Sequence, residues 1–129
     1  MTTPRPTPFT GGRNIAMKVP PHLWDATVAF YRDVIGLNVI EQAPTKPPSV
    51  CFEFGANQLW VDRVDHLSQA EIWLEIRTPD VQAAADHLQS AGIVRRDEIE
   101  PLPEGFDGYW IQNPASIIHI VAPADEEDS

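Results

Sequence analysis

The same succession of strand, helix, glycine and strands occurs twice in this chain, at a nearly constant offset. Residues 14–19 alternate, with Ile15, Met17 and Val19 on one side and Asn14, Ala16 and Lys18 on the other. That is the pattern of a half-buried strand. Residues 71–77 alternate in the same way, Ile72, Leu74 and Ile76 against Glu71, Trp73 and Glu75. After the first strand come Pro20-Pro21, then Leu23, Thr27, Phe30, Tyr31 and Val34 at helical spacing, then Gly36 where a helix cap belongs. After the second come Pro79 and the N-cap candidate Asp80, then Val81, Ala84, Ala85 and Leu88 on one helix face, then Gly92. The first strands start 57 residues apart and the cap glycines lie 56 apart. Agreement of order, register and caps predicts a duplicated module.

The remaining strands complete each copy. In the first, residues 37–42 read as a strand and 43–48, with three prolines, as a loop. Residues 50–54 and 58–63 read as a hairpin around the turn Gly55-Ala56-Asn57. In the second, the later strands are 93–99, 108–112 and 117–122. The expected fold class is α+β, with one domain over 14–123 made of modules at about 14–63 and 71–122. Residues 1–13, with Pro4, Pro6 and Pro8, read as a flexible lead-in, and 124–129 as an acidic tail.

Composition removes several classes of function. The 129 residues carry a formal charge of −10, a poor match to the phosphates of nucleic acid or to anionic lipid. No apolar run is long enough to span a membrane, and the first residues have no signal-peptide core. The expected setting is the cytoplasm. Cys51 is the sole cysteine, which rules out an internal disulfide and a thiolate metal cage. Its apolar neighbours Val50 and Phe52 mark it as a buried small hydrophobe.

One helix per module covers one side of a sheet, and the aliphatic side should lie beneath it. The uncovered side then carries Asn14, Lys18, Trp60 and Asp62 from the first module and Glu71, Trp73 and Glu75 from the start of the second. If Ile118 and Ile120 face the core, His119 joins that side, as does Trp110. Indoles beside a few ionisable groups are what small-molecule cavities look like. The 101–108 loop, with Gly105 and Gly108, is a candidate lid.

The segment Asn14-Ile-Ala-Met-Lys-Val19 followed by Ala29-Phe-Tyr-Arg-Asp-Val-Ile-Gly-Leu37 resembles the opening of the vicinal oxygen chelate superfamily, which includes glyoxalases, bleomycin-binding proteins and dioxygenases. Residues 83–92 and Tyr109-Trp-Ile-Gln-Asn-Pro114 are similar to later parts of that pattern, so the likeness covers roughly 14–123. The resemblance implies two βαβββ modules forming a curved, incomplete mixed-sheet barrel around a cavity, and a homodimer. It also implies metal ligands at the starts of the first and fifth strands, where Asn14 and Glu71 stand, in the fourth strand, where Trp60 stands, and in the last strand. Counting from Pro114 puts Ile120 at that last position; a one-residue deletion puts His119 there, which alternation favours.

Two functions follow. One is binding of a small organic molecule, cationic or planar, in a tryptophan-lined cavity without the full metal set. Its ligand-binding residues would be Asn14, Trp60, Asp62, Trp73 and Trp110. The alternative is a metal-dependent lyase, isomerase or dioxygenase. There Glu71 and His119 would hold Zn, Ni, Mn or Fe, or Glu71 would act as catalytic base. His22, His66 and His87, on a helix start, a linker and a helix, are not expected to be ligands.

Overall fold

A computed structural model describes residues 8–124, so the lead-in reading for 1–7 and the tail reading for 125–129 lie outside the described residues. The chain divides into two compact units. One is Arg13–Trp73, and the other holds residues 74–124 together with 8–12.

In the first sequence module, β1 (Thr10–Val19) leads to α1 (Pro21–Ala29), then β2 (Val39–Ile40), β3 (Ser49–Phe54) and β4 (Asn57–Arg63). In the second, β5 (Glu71–Thr78) leads to α2 (Val81–Ser90), then β6 (Val94–Arg95), β7 (Tyr109–Gln112) and β8 (Ile118–Pro123). The strand orders are β1-β4-β3-β2 and β5-β8-β7-β6, the same order in each copy. β1 runs parallel to β4 and β5 parallel to β8, while the remaining pairs are antiparallel. The fold is therefore α+β, two βαβββ modules with mixed pairing, and β2 and β6 remain edges.

The punctuation of the chain does what its chemistry demands. Gly36 and Gly92 have φ of 80° and 77°, a region costly to side chains, and each ends a helix. The Asp80 carboxylate accepts from the Ala83 N–H at 3.0 Å, capping α2. Strand lengths differ from expectation at the edges: β2 and β6 keep two residues each out of the seven expected for 93–99 and six for 37–42. The hairpin turn is two residues, because Asn57 pairs with Phe54. β1 starts at Thr10, so 10–13 is strand and not lead-in. Gly12 lets the strand pass close to β5, since a Cβ there would overlap the Glu75 side chain.

Helical spacing misplaced part of the first core. α1 continues into a π-helical turn, Phe30–Val34, in which the Ile35 N–H reaches back to the Phe30 carbonyl at 2.9 Å. The wider turn breaks the 3.6-residue period, and Val34 is left 74% exposed. Trp24, not Leu23, packs beneath the helix, its indole N–H on the Val61 carbonyl at 3.0 Å. Val19, Val28, Phe52, Leu59 and Val61 form this core, with Tyr31 against Phe52. The second core joins Tyr109, Ile111 and Val121 to Ile76, Val81, Ala85 and Leu88. Ile72 and Leu74, expected under a helix, are each 38% exposed. Only Ile76 of that aliphatic set packs into the second core, which lies toward the later half of β5.

The turn before β8 is held by Asn113, whose Oδ1 accepts the N–H groups of Ala115 and Ile117 at 2.8 and 2.9 Å. Ser116 sits at φ 67°, a left-handed conformation for a residue with a Cβ. Ser116→Gly should raise the unfolding free energy by about 0.5 kcal/mol and Ser116→Val lower it by about 1 kcal/mol or more, both read by urea denaturation.

Candidate functional site

The uncovered side of the first sheet assembles as alternation predicts. Register pairs Ala16 with Trp60 and Lys18 with Asp62 across β1 and β4, and Cys51 with Trp60 and Ser49 with Asp62 across β3 and β4. Paired residues share a side, so Asn14, Lys18, Ser49, Cys51, Trp60 and Asp62 lie together. The half-buried Trp60 donates its indole N–H to Asn14 Oδ1 at 2.8 Å. Lys18, only 4% exposed, places its Nζ 2.8 Å from Asp62 Oδ2 and 4.3 Å from the centre of the Trp73 ring. The Ser49 hydroxyl also donates to Asp62. Trp73 is 3% exposed and donates its indole N–H to Glu71 Oε1 at 3.1 Å. Glu71 itself is exposed.

This arrangement is a closed set of charges more than a set of waiting ligands. A buried cation and anion hold each other only while both are present, and the ring face adds attraction to the ammonium. Asp62 was expected to offer negative charge to a ligand; its charge is instead met by Lys18. Ser49 escaped the sequence reading, although it lies two residues before Cys51 and so on the same side of β3.

On the second sheet the two candidate residues part company. Register pairs Trp110 with Ile120 and Ile111 with His119 across β7 and β8, and Leu74 with His119 across β5 and β8. Ile111 and Val121 belong to the core against α2, so His119 stands on the helix side, half-buried, its Nδ1 3.2 Å from the Ile117 carbonyl. The expectation that His119 faces the uncovered side is overturned. Its basis was that isoleucine suits the core better than histidine, but two-residue periodicity fixes side by position. Ile120, opposite Trp110, occupies the uncovered side.

Trp110 does lie on the uncovered side but is only 6% exposed. Its indole N–H donates to the Glu100 carbonyl at 2.9 Å, and its backbone N–H to Asp97 Oδ1 at 3.2 Å, so the segment after β6 lies over it. Glu75 and Arg77, on the same side of β5, form an ion pair at 3.2 Å with both side chains largely buried. Arg77 was not singled out from sequence, though the alternation that places Glu75 places it too.

The resemblance implies a divalent metal, and the donor chemistry here does not fit one. Asn14 offers an amide oxygen already taken by Trp60, Ile120 offers nothing, and His119 is on the helix side of its sheet. Among the described residues no three of His, Cys, Asp or Glu cluster as a metal would require. Of the implied ligand positions, Glu71 alone carries a carboxylate, exposed and accepting the Trp73 indole N–H.

Known proteins now supply a comparison. No protein-family model matches the chain, and no curated protein does. Solved structures do match. A Mn(II)-bound glyoxalase from Novosphingobium aromaticivorans superposes with a TM-score of 0.63 at 19% identity, over 91% of this chain and 40% of its own length. A glyoxalase/bleomycin resistance protein/dioxygenase superfamily member from Vibrio splendidus matches with a TM-score of 0.59 at 12% identity, over 89% of this chain and 100% of its own. A methylmalonyl-CoA epimerase from Streptomyces coelicolor, in complex with 2-nitronate-propionyl-CoA, gives 0.63 at 16% identity, over 95% and 99%. At these identities the likeness is one of fold: the chain has the vicinal oxygen chelate fold. No helix among the described residues is long and apolar enough to cross a membrane.

Removing half of the buried ion pair should be costly. Lys18→Met leaves Asp62 without its cation and should lower stability by about 3 kcal/mol, whereas adding Asp62→Leu should recover most of that loss, both measured by chemical denaturation. Cys51 is fully buried, and burial first, then the Asp62 charge, pushes its thiol pKa up. The folded thiol thus stays protonated where the unfolded one ionises. Its contribution to stability is complete below the unfolded thiol's pKa and is lost as pH rises toward the folded value. Cys51→Ala should flatten the alkaline fall of melting temperature relative to the parent, and the parent thiol should react with Ellman's reagent only on unfolding.

Proposed function

We propose that this chain binds a small, neutral, planar organic molecule on the uncovered side of the first unit's sheet, without a divalent metal. The observation that carries the reading is Trp60: a half-buried indole on that side, its N–H fixed by Asn14, so that a ring face is the surface left to offer. Such a face contributes roughly 0.5–1.5 kcal/mol to a stacked partner beyond the area buried. Neutral ligands are favoured over cationic ones because Asp62 is matched by Lys18 inside the protein. Trp73, buried in the same unit, serves as a wall whose N–H is held by Glu71.

The second reading is a metal-dependent lyase, isomerase or dioxygenase. One observation favours it: Glu71 keeps an exposed carboxylate at a position where the resemblance places a ligand. The Mn(II)-bound glyoxalase among the structural neighbours supports the class without supplying the missing donors.

Thermal-shift screening against uncharged bicyclic aromatics and against Mn, Ni and Zn salts separates the two. Binding at ten times Kd should stabilise the folded state by roughly 1.4 kcal/mol, with no comparable metal effect. Trp60→Leu should abolish the organic shift while leaving the ligand-free melting temperature within a few degrees of the parent. Stabilisation by metal alone, or an organic shift indifferent to Trp60, would overturn the proposal.

A further inference from the structure

A separate pocket of about 260 Å³ opens in the second unit between α2 and β6, away from the uncovered side of the sheet. It lies where α2 passes the edge strand β6, whose Val94 and Arg95 pair with β7 and whose next residue, Arg96, still donates its N–H to the Trp110 carbonyl at 2.9 Å. The floor is apolar: Ala85 and Leu88 from α2 and Ile93 before β6. The rim is not. It carries Gln82 and Asp86 on the helix and Arg95 on the strand.

The two charges are held in place separately. Asp86 Oδ1 accepts the Gln82 amide at 3.1 Å, one helical turn away. Arg95 lies over the Tyr109 ring at 4.2 Å and donates to Asp97 Oδ2 at 2.6 Å. Arg95 thus stands over a phenol whose pKa burial raises, the Arg95 charge opposing that rise and the Asp86 charge adding to it. Asp86 and Arg95 nevertheless form no ion pair with each other among the described residues. A small apolar hollow whose rim carries both an anchored cation and an anchored carboxylate suits a ligand bearing both charges and an aliphatic body.

We propose that this pocket binds a free aliphatic α-amino acid as its zwitterion. The ligand carboxylate meets the Arg95 guanidinium, the ammonium meets Asp86, and the side chain lies on Ala85, Leu88 and Ile93. The volume suits a molecule of leucine's size, and a ligand that small on a solvent-open rim should bind with Kd on the order of 0.1–1 mM. The site is independent of the organic-molecule reading above, which concerns the first unit.

The test is isothermal titration calorimetry on the full chain with L-leucine, isocaproate and isoamylamine as probes. Saturable binding of leucine, with each single-charge analogue at least about tenfold weaker, is expected from the loss of one charge-assisted bond. Asp86→Asn, an exposed near-isosteric change, should weaken leucine about tenfold or more while the far-ultraviolet circular dichroism and melting temperature stay as in the parent. No saturable heat with leucine up to about ten times the weakest expected Kd would overturn the proposal. So would leucine binding indifferent to Asp86→Asn, or isocaproate or isoamylamine binding as tightly as leucine.

Discussion

A four-stranded sheet has two sides, and each unit of this chain has one helix to cover them. Strand side chains alternate strictly, so once one residue of a strand is fixed under its helix, the side of every other residue follows. The cores, the charge pairs and the candidate site are all consequences of that parity. In the first unit it puts Leu59 and Val61 under α1 and leaves Trp60 and Asp62 on the far side. In the second it puts Tyr109 and Ile111 under α2 and leaves Trp110 on the far side.

Polarity on the uncovered sides is resolved by short-range partners. Lys18 answers Asp62, Arg77 answers Glu75, and the indole N–H groups of Trp60, Trp73 and Trp110 each have an acceptor. Buried polar groups left without partners would be costly, and these pairings account for how indoles and charges coexist on one surface. They also explain why donors expected to serve a metal or a cationic ligand are engaged with the protein itself. A shared fold leaves such positions open to reuse, and here tryptophans have taken over the company of Asn14 and Glu71.

The duplicated order was legible because capping glycines, an N-cap aspartate and strict alternation are local signals, and Gly36, Gly92 and Asp80 behave as local chemistry requires. The uncovered side of β1 and β4 was legible for the same reason. What failed involved either a change of period or a choice between residue types. The π-helical turn at Phe30–Val34 carries no signature in its residue types, so Val34 was read at a helical spacing that the turn breaks. His119 was placed by its polarity when position alone decides. Strand lengths at β2 and β6 depend on where neighbours stop, which no local pattern encodes. The pairing of Lys18 with Asp62 spans 44 residues and is visible only once β1 lies beside β4.

The brevity of β2 and β6 carries a consequence of its own. An edge strand is a template on which a foreign chain can hydrogen-bond, and the hazard grows with its length and flatness. Two residues apiece offer too little ladder for such recruitment, and beyond β6 the guanidinium of Arg96, engaged with Glu98, adds charge where an incoming strand would have to lie. The outermost strands thus end each sheet while presenting almost no seam on which fibrils could grow.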